Sequence, residues 1–379
     1  MESFFLSDLN VFAADYRRAR ALFLAAAEKA GARISSFTHP LHGPECETLA
    51  TDVAWLGEED ADTVLVMLSA THGVEGFSGS GAQVDFLRQV KTLPHGVAVL
   101  IVHAVNPHGF AWLRRVTEDG VDLNRNYIDF SHMLPINEGY DELADAVVPV
   151  SLDADVLNAC DLRLSEYHHT HGSIAYEKAL SAGQYSYPNG LFYGGKAPTW
   201  SRLTCEQIMS DFRLSARQRV AVIDFHTGIG PFGYGEPICD HPPGSSGVIL
   251  ARDWFGDSVT EPALGTSISV AKHGLSDYGW MHGVGEPLVF IALEFGTYSF
   301  DHMKQSLRAD HWLHASGAVD WHADQTQAIK AAIRKHFYPA TPDWQEMVLC
   351  RSRQCIRQAL AGLALESWSL PVKDYPGCE

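Results

Sequence analysis

Short apolar runs and amphipathic stretches alternate along most of this chain. Residues 11–31 repeat apolar positions at helical spacing, rich in alanine and arginine, and predict an amphipathic helix. Residues 53–56 read as a strand that ends at Gly57-Glu58-Glu59-Asp60. Residues 64–69 form an almost unbroken apolar run, the pattern of a strand buried on both faces. Residues 79–90 then predict a helix and 97–104 the next strand. That strand–helix–strand rhythm is a βαβ unit and favours a parallel sheet.

The middle of the chain, 133–200, is less regular. Helical pieces are expected at 143–148 and 177–181, followed by an aromatic, glycine-rich loop over 183–195 that contains Gln184, Tyr185 and Tyr193. Ordered loops of that length are often functional. The regular pattern resumes with a helix at 201–214 and strands at 219–223, 247–250 and 287–293. Helices at 325–336 and 344–361 close the series. No repeat, linker or low-complexity tract interrupts it. The expectation is one α/β domain over 1–379: a mixed, mostly parallel twisted sheet with helices on both faces. Its motif-bearing core spans about 60–300, with helical additions at both ends.

Four motifs lie at or beyond the carboxyl ends of these strands. They are His72-Gly-Val-Glu75, Asp122-Leu-Asn124-Arg125-Asn126, Asp224-Phe-His226 and Glu294-Phe-Gly. In open α/β sheets, ligands bind in the crevice beyond those ends. Two imidazoles, two carboxylates and an arginine in one crevice form the inventory of a zinc hydrolase. His72-x-x-Glu75 is weak by itself, because His42-Gly-Pro-Glu45 repeats the spacing, but only His72 follows a buried strand. The alternative for His72 is a structural histidine. For His226, which ends an apolar strand, the alternative to a metal is a hydrogen bond to backbone.

Glu294 also ends an apolar strand, where desolvation raises a carboxyl pKa and suits a general base. The bland reading is an ion pair with arginine. Arg125, flanked by asparagines, suits bidentate binding of a carboxylate, or else forms a surface salt bridge. Gly228-x-Gly-x-x-Gly233 mimics a dinucleotide loop, but Pro231 and the lack of a following helix argue against it. Gly190-x-x-x-x-Gly195-Lys196 mimics a phosphate loop but continues with Ala197. His168, His169 and His171 cluster without a companion carboxylate and read as solvent or pocket-rim histidines.

Composition narrows the function classes. With 28 basic and 46 acidic residues the net charge is −18, which argues against nucleic-acid binding and against an anionic membrane surface. Seven scattered cysteines, with no CxxC, read as free thiols in a reducing compartment. The first eight residues, Met1 to Asp8, lack a basic n-region, and no apolar stretch is long enough to span a bilayer. A cytoplasmic location is expected. The oligomeric state is open.

Taken in order, HxxE, Asn106-Pro-x-Gly109, an arginine before Gly120-x-Asp122-x-Asn124-Arg125-Asn126, a strand ending in histidine and a strand ending in glutamate resemble the carboxypeptidase A-like zinc metallopeptidases. That superfamily includes the succinylglutamate desuccinylase and aspartoacylase branch, and Asp224-Phe-His-Thr-Gly228 looks closer to it. The resemblance spans His72 to Glu294. It implies a zinc carboxypeptidase-like fold, of the phosphorylase/hydrolase-like type, and one Zn²⁺ per chain held by His72, Glu75 and His226. Glu294 would be general base and proton donor, and Arg115 would stabilise the oxyanion. Asn124 and Arg125 would hold a substrate carboxylate, and Asp122 would orient His72. The interval from Arg115 to Asn124 is shorter than in the well-studied carboxypeptidases, which leaves Arg114 as the alternative oxyanion residue. Their substrate-side tyrosine has no clear counterpart, with Tyr278 and Tyr298 as candidates. The 183–195 loop, with Gln184 on the substrate side, is expected to shape a distinct pocket, as in a less characterised bacterial branch. The expected substrate is a small peptide or an acylated amino acid.

Overall fold

The computed structural model describes residues 8–315 and 317–365. Residues 1–7 and Cys378 lie outside the described residues. Seven strands form one sheet: β1 (Arg33–His42), β2 (Thr48–Leu56), β3 (Thr63–Leu68), β4 (Val97–His103), β5 (Arg219–Thr227), β6 (Gly235–Ile238) and β7 (Leu288–Phe295). Their spatial order is β1-β2-β4-β3-β5-β7-β6. The four central strands β4-β3-β5-β7 are parallel, while β1, β2 and β6 pair antiparallel at the edges. The fold class is therefore the expected mixed α/β sheet.

The unbroken apolar runs follow from burial on both faces. Leu65 and Met67 of β3, Val99 and Ile101 of β4, and Ala221 and Ile223 of β5 face one core. Their alternates Val64, Val66, Leu100, Val102, Val220 and Val222 face the other. Helices Tyr16–Lys29, Gly76–Gln89, Ser246–Phe255 and Pro342–Leu363 cover the first face, and Trp200–Asp211 and Ser276–Val284 the second. A third apolar cluster joins helices Glu138–Val147, Ala154–His171, Ser173–Ser181, Phe300–Ala315 and Asp324–Phe337. It packs on Val74 and Ile229, which follow the carboxyl ends of β3 and β5.

One expected element is corrected. Residues 247–250 lie inside helix Ser246–Phe255, not in a strand. Short apolar runs do not separate buried strand from buried helix. Strand β1, with one buried residue among ten, and the four-residue β6 escape apolar patterning altogether. The exposed helix Ala154–His171 buries only Leu164, so it too shows no apolar stripe.

The sheet's connection order reverses around β3. The chain passes from β3 to β4 on one side and returns to β5 on the other. This is the switch point at which a crevice opens beyond the strand ends.

Candidate metal centre and active site

The crevice begins where β3 stops. Ala70 takes left-handed backbone (φ 59°), and His72 caps a 3₁₀ turn, Gly73–Glu75, that runs into helix Gly76–Gln89. The neighbouring Asn106-Pro-His-Gly109 segment starts a short helix, with Asn106 Oδ1 accepting from Gly109 N at 2.8 Å. The two turns meet backbone to backbone. A Cβ on Gly73 would lie 2.0 Å from the carbonyl carbon of Gly109, so the glycine of HGVE is required by this close approach. Gly73 N donates to Arg115 O and Val74 N to Arg114 O, tying the arginine segment to the same turn.

His72, Glu75 and His226 converge, each buried, with ligand-type atoms all within 4.8 Å of one another. The two Nδ1 atoms are 3.2 Å apart, His72 Nδ1 is 3.1 Å from Glu75 Oε1, and His226 Nδ1 is 3.3 Å from Glu75 Oε2. The outer nitrogens meet carboxylates. His72 Nε2 lies 3.0 Å from Asp122 Oδ1, and His226 Nε2 lies 2.9 Å from Asp224 Oδ2. Assigned with a proton on each Nε2, facing its carboxylate, the two rings turn their Nδ1 lone pairs inward. Two lone pairs and a carboxylate facing one another in a buried site repel unless a cation sits among them. The donor set thus fits a divalent metal, with the carboxylate–histidine pairs that usually orient such ligands.

The electrostatics agree. Burial pushes the Glu75 carboxyl up, but His72, His226 and Arg115 outweigh it and hold it below the usual carboxylate range. Burial would lower the His226 pKa, yet Asp224 and Glu75 raise it well above the ordinary value. The centre attracts positive charge. Thr71 Oγ1 donates to Asp224 and Thr227 N donates to Glu75 Oε2 at 2.9 Å, so both carboxylates are held in place.

Around the triad lies a cavity of about 320 Å³, lined among others by Arg115, Asn124, Arg125, Phe192, Asp240, Lys272, Glu294 and Tyr298. Burial, with Glu75 adding to it, pushes the Glu294 carboxyl up to about 7, and Ile229 N donates to Oε1 at 3.3 Å. Arg115 Nε donates to Asp122 Oδ2 at 3.0 Å and Nη1 to Glu75 Oε1 at 2.7 Å, with Nη2 2.9 Å from His72 Nε2. Arg125 donates to Ser181 O from Nε and Nη2 and to Asn124 O from Nη1. Asn124 Oδ1 accepts from Ser276 N at 2.7 Å. Each guanidinium lies over the Phe192 ring, at 5.5 and 5.4 Å.

Other expected residues fall elsewhere. Arg114 turns away from the cavity and pairs with Asp310 at 3.0 Å, which removes it as the oxyanion alternative. Tyr278 lines a separate cleft with Arg202 and His282, so of the two tyrosines it is Tyr298 that reaches the cavity. Gln184 is buried and braces its own loop. It donates to Tyr187 O and Leu191 O and accepts from Ser186 N and Tyr187 N, and does not line the cavity. The 183–195 loop instead wraps the Asp122–Asn126 segment. Tyr185 donates to Arg125 O, and Tyr193 O accepts from Asp122 N. His168, His169 and His171 are exposed in the last turn of helix Ala154–His171. His42 and Glu45 are not part of the acceptor cluster. Asp224 stood in a motif without a role, and Phe192, Asp240 and Lys272 carried no signal, because only folding brings their distant segments to the cavity.

Among the described residues, no helix is long and apolar enough to cross a membrane. In sequence, no curated protein matches the chain. Solved structures do. Carboxypeptidase A from Helicoverpa armigera aligns with a TM-score of 0.52 at 12% identity, over 96% of this chain and 77% of that one. An aspartoacylase family protein from Mesorhizobium loti aligns with a TM-score of 0.37 at 14% identity, over 76% and 68%. The murein-tripeptide amidase from Escherichia coli O157 aligns with a TM-score of 0.35 at 15% identity, over 78% and 91%. The first of these shows that the chain shares the fold of that carboxypeptidase A. Residues 12–351 match the family described as "Protein of unknown function (DUF2817)", and the chain belongs to that family.

Proposed function

We propose that the protein is a zinc-dependent hydrolase that cleaves an amide bond next to a free carboxylate, as a carboxypeptidase-like metallopeptidase. The observation that carries this reading is the inward convergence of His72 Nδ1, His226 Nδ1 and the Glu75 carboxylate, with Glu294 beside them on the cavity wall. A zinc ion held by these three residues would supply Lewis acidity to a water and to the scissile carbonyl.

The chain's own residues take the remaining roles. Glu294, a carboxyl poised near neutrality, accepts a proton from the attacking water and delivers it to the leaving amine. Arg115, pinned by Asp122 and Glu75, turns its remaining N–H donors toward charge developing on the carbonyl oxygen. Asn124 and Arg125 hold the substrate's free carboxylate at the cavity wall. Asp122 and Asp224 keep the imidazoles in the tautomer that leaves Nδ1 free.

A deacylase acting on N-acyl amino acids would use the same residues. The Asp224-Phe-His-Thr-Gly228 segment, with Asp224 against the His226 ring, favours keeping that second reading. A panel of dipeptides and N-acyl amino acids, assayed with and without zinc, tests both. Zinc-dependent release from dipeptides supports the peptidase, and release from N-acyl amino acids alone replaces it by the deacylase. Wild-type protein that binds no zinc overturns the proposal.

A further inference from the structure

Away from the active-site cavity, an apolar recess runs between helices Gly76–Gln89 and Pro342–Leu363. Its volume is about 330 Å³, and it shares no lining residue with the cavity around the triad. Ala82, Phe86, Val90 and Leu93, on or just past the first helix, face Ile356 and Leu360 of the second. Phe86, Val90, Leu93 and Leu360 are only partly buried, so apolar area stays open to water where the two helices pack.

The recess also holds an unpaired polar group. Ser352 lines it and is 2% exposed, and its Oγ has no hydrogen-bond partner among the described residues. A buried hydroxyl without a partner is costly, and a backbone group laid along the recess relieves that cost. Charge here is one-sided. Asp85 is neutralised by Arg353 at 2.8 Å. Lys91 and Arg357 stand exposed beside it, with no ion pair among the described residues.

The chain itself carries a segment of matching pattern. Residues 366–379 lie outside the described residues and follow on helix Pro342–Leu363, whose Leu360 lines the recess. They open with Glu366-Ser-Trp368-Ser-Leu370-Pro-Val372-Lys-Asp374. Pro371 disfavours a helix and biases Leu370 toward extended backbone. In an extended chain alternate residues share a side, so Trp368, Leu370 and Val372 make one apolar edge with Glu366 and Asp374 at its ends. The lengths agree. Trp368 to Val372 spans about 13 Å when extended, and Ser352 to Leu360 about 12 Å of helix. Leu365 stands about 8 Å along the axis from Leu360. Three extended residues reach about 10 Å, enough for Trp368 to return to Leu360.

We propose that residues 366–374 dock in this recess as an extended strap. Trp368, Leu370 and Val372 cover its apolar floor, and Glu366 and Asp374 face Lys91 and Arg357. The occupant is the chain's own segment, and the inference stands apart from the hydrolase reading. Helix Gly76–Gln89 starts at the residue after Glu75, so the strap closes the far end of the helix that follows a proposed ligand.

Hydrogen–deuterium exchange on the full-length protein tests this. Amides within 368–374 are expected to exchange about tenfold or more slower than in a free peptide of the same sequence. Leu370→Asp abolishes that protection and speeds exchange at 89–93. Arg357→Glu weakens it, and adding Glu366→Lys and Asp374→Lys restores it. Thermal unfolding of each variant confirms that it is folded. Free-peptide exchange rates at 368–374 in wild type overturn the proposal, as does protection that survives Leu370→Asp. Protection that grows with protein concentration assigns the recess to the segment of a second copy and overturns the intramolecular strap. The readout needs neither zinc nor turnover, so its failure leaves the hydrolase reading untouched.

Discussion

His226 and Glu294 stand directly opposite each other in the parallel pairing of β5 and β7, so both side chains leave the same face of the sheet. One sits in the acceptor cluster and the other lines the cavity beside it. Register alone, not loop conformation, sets the spacing between the proposed ligand and the proposed base.

That relationship gives the first prediction. Glu294→Gln preserves shape and removes the base, so hydrolysis falls by about 10²–10⁴-fold while zinc content stays at the wild-type level. The carboxylate is the active form, so kcat/KM in wild type rises as pH climbs through the carboxyl's pKa, and a bound cation moves that limb to pH values below about 7. Turnover and metal analysis on the same preparations decide it. A variant with the wild-type rate would remove Glu294 from the mechanism.

Asp224 contacts the outer nitrogen of His226 and is itself held by Thr71. Asp224→Asn loses the charge that favours the Nε2 proton, and zinc affinity drops by about 10–100-fold. Competition against a chelator of known affinity measures the change. Unaltered affinity would mean that the 2.9 Å contact does not orient the ring.

The buried pairs Arg114–Asp310 and Lys330–Asp310 (3.0 and 2.6 Å) anchor the segment that carries Arg115. Asp310→Asn leaves two cations buried without their carboxylate and costs about 3–5 kcal/mol in urea unfolding. The pairing holds the Asp310 carboxyl below the usual range. Its contribution is therefore present above the ordinary carboxylate pKa and is lost as pH falls through the depressed value. Wild type, but not the variant, should show that acid-side loss.

Burial holds the imidazoles of His103 and His311 down at about 4. The unfolded chain binds these protons from about pH 6.5 downward and the folded chain does not, so stability falls as pH drops from there toward 4. Between pH 7 and pH 5 the loss is on the order of 1–2 kcal/mol for each histidine. Urea midpoints at the two pH values test it. An unchanged midpoint would contradict neutral burial of these rings.

Tyr278 serves as a control. It lines a different cleft, so Tyr278→Phe should leave kcat/KM unchanged, while Tyr298→Ala raises KM because its ring faces the cavity. Steady-state kinetics on both variants check the assignment.

Much of the central sheet was legible because strands buried on both faces must be apolar at nearly every position. Runs at 64–69, 97–104 and 287–293 accordingly located β3, β4 and β7. Edge strands carry no such requirement. β1 is largely exposed, and the run at 247–250 satisfied a helix as readily as a strand. The HxxE, DFH and EF motifs could be placed because each abuts a strand end. The spacing that brought Arg114 into consideration says nothing about which way a side chain turns.

The order of apolar runs and the polar residues that end them determined the α/β class, the strand ends and the set His72, Glu75, His226 and Glu294. Those features are local, since period-two burial and strand termination are written within a few residues. The tertiary structure alone decided that Arg115 and not Arg114 faces the cavity, and that Gln184 braces a loop. It also set Lys272 and Arg125 on one wall. The Arg114–Asp310 pair and the shared wall join segments more than a hundred residues apart, and at all of these positions hydrogen bonds that no pattern of apolar residues encodes fix where each side chain points.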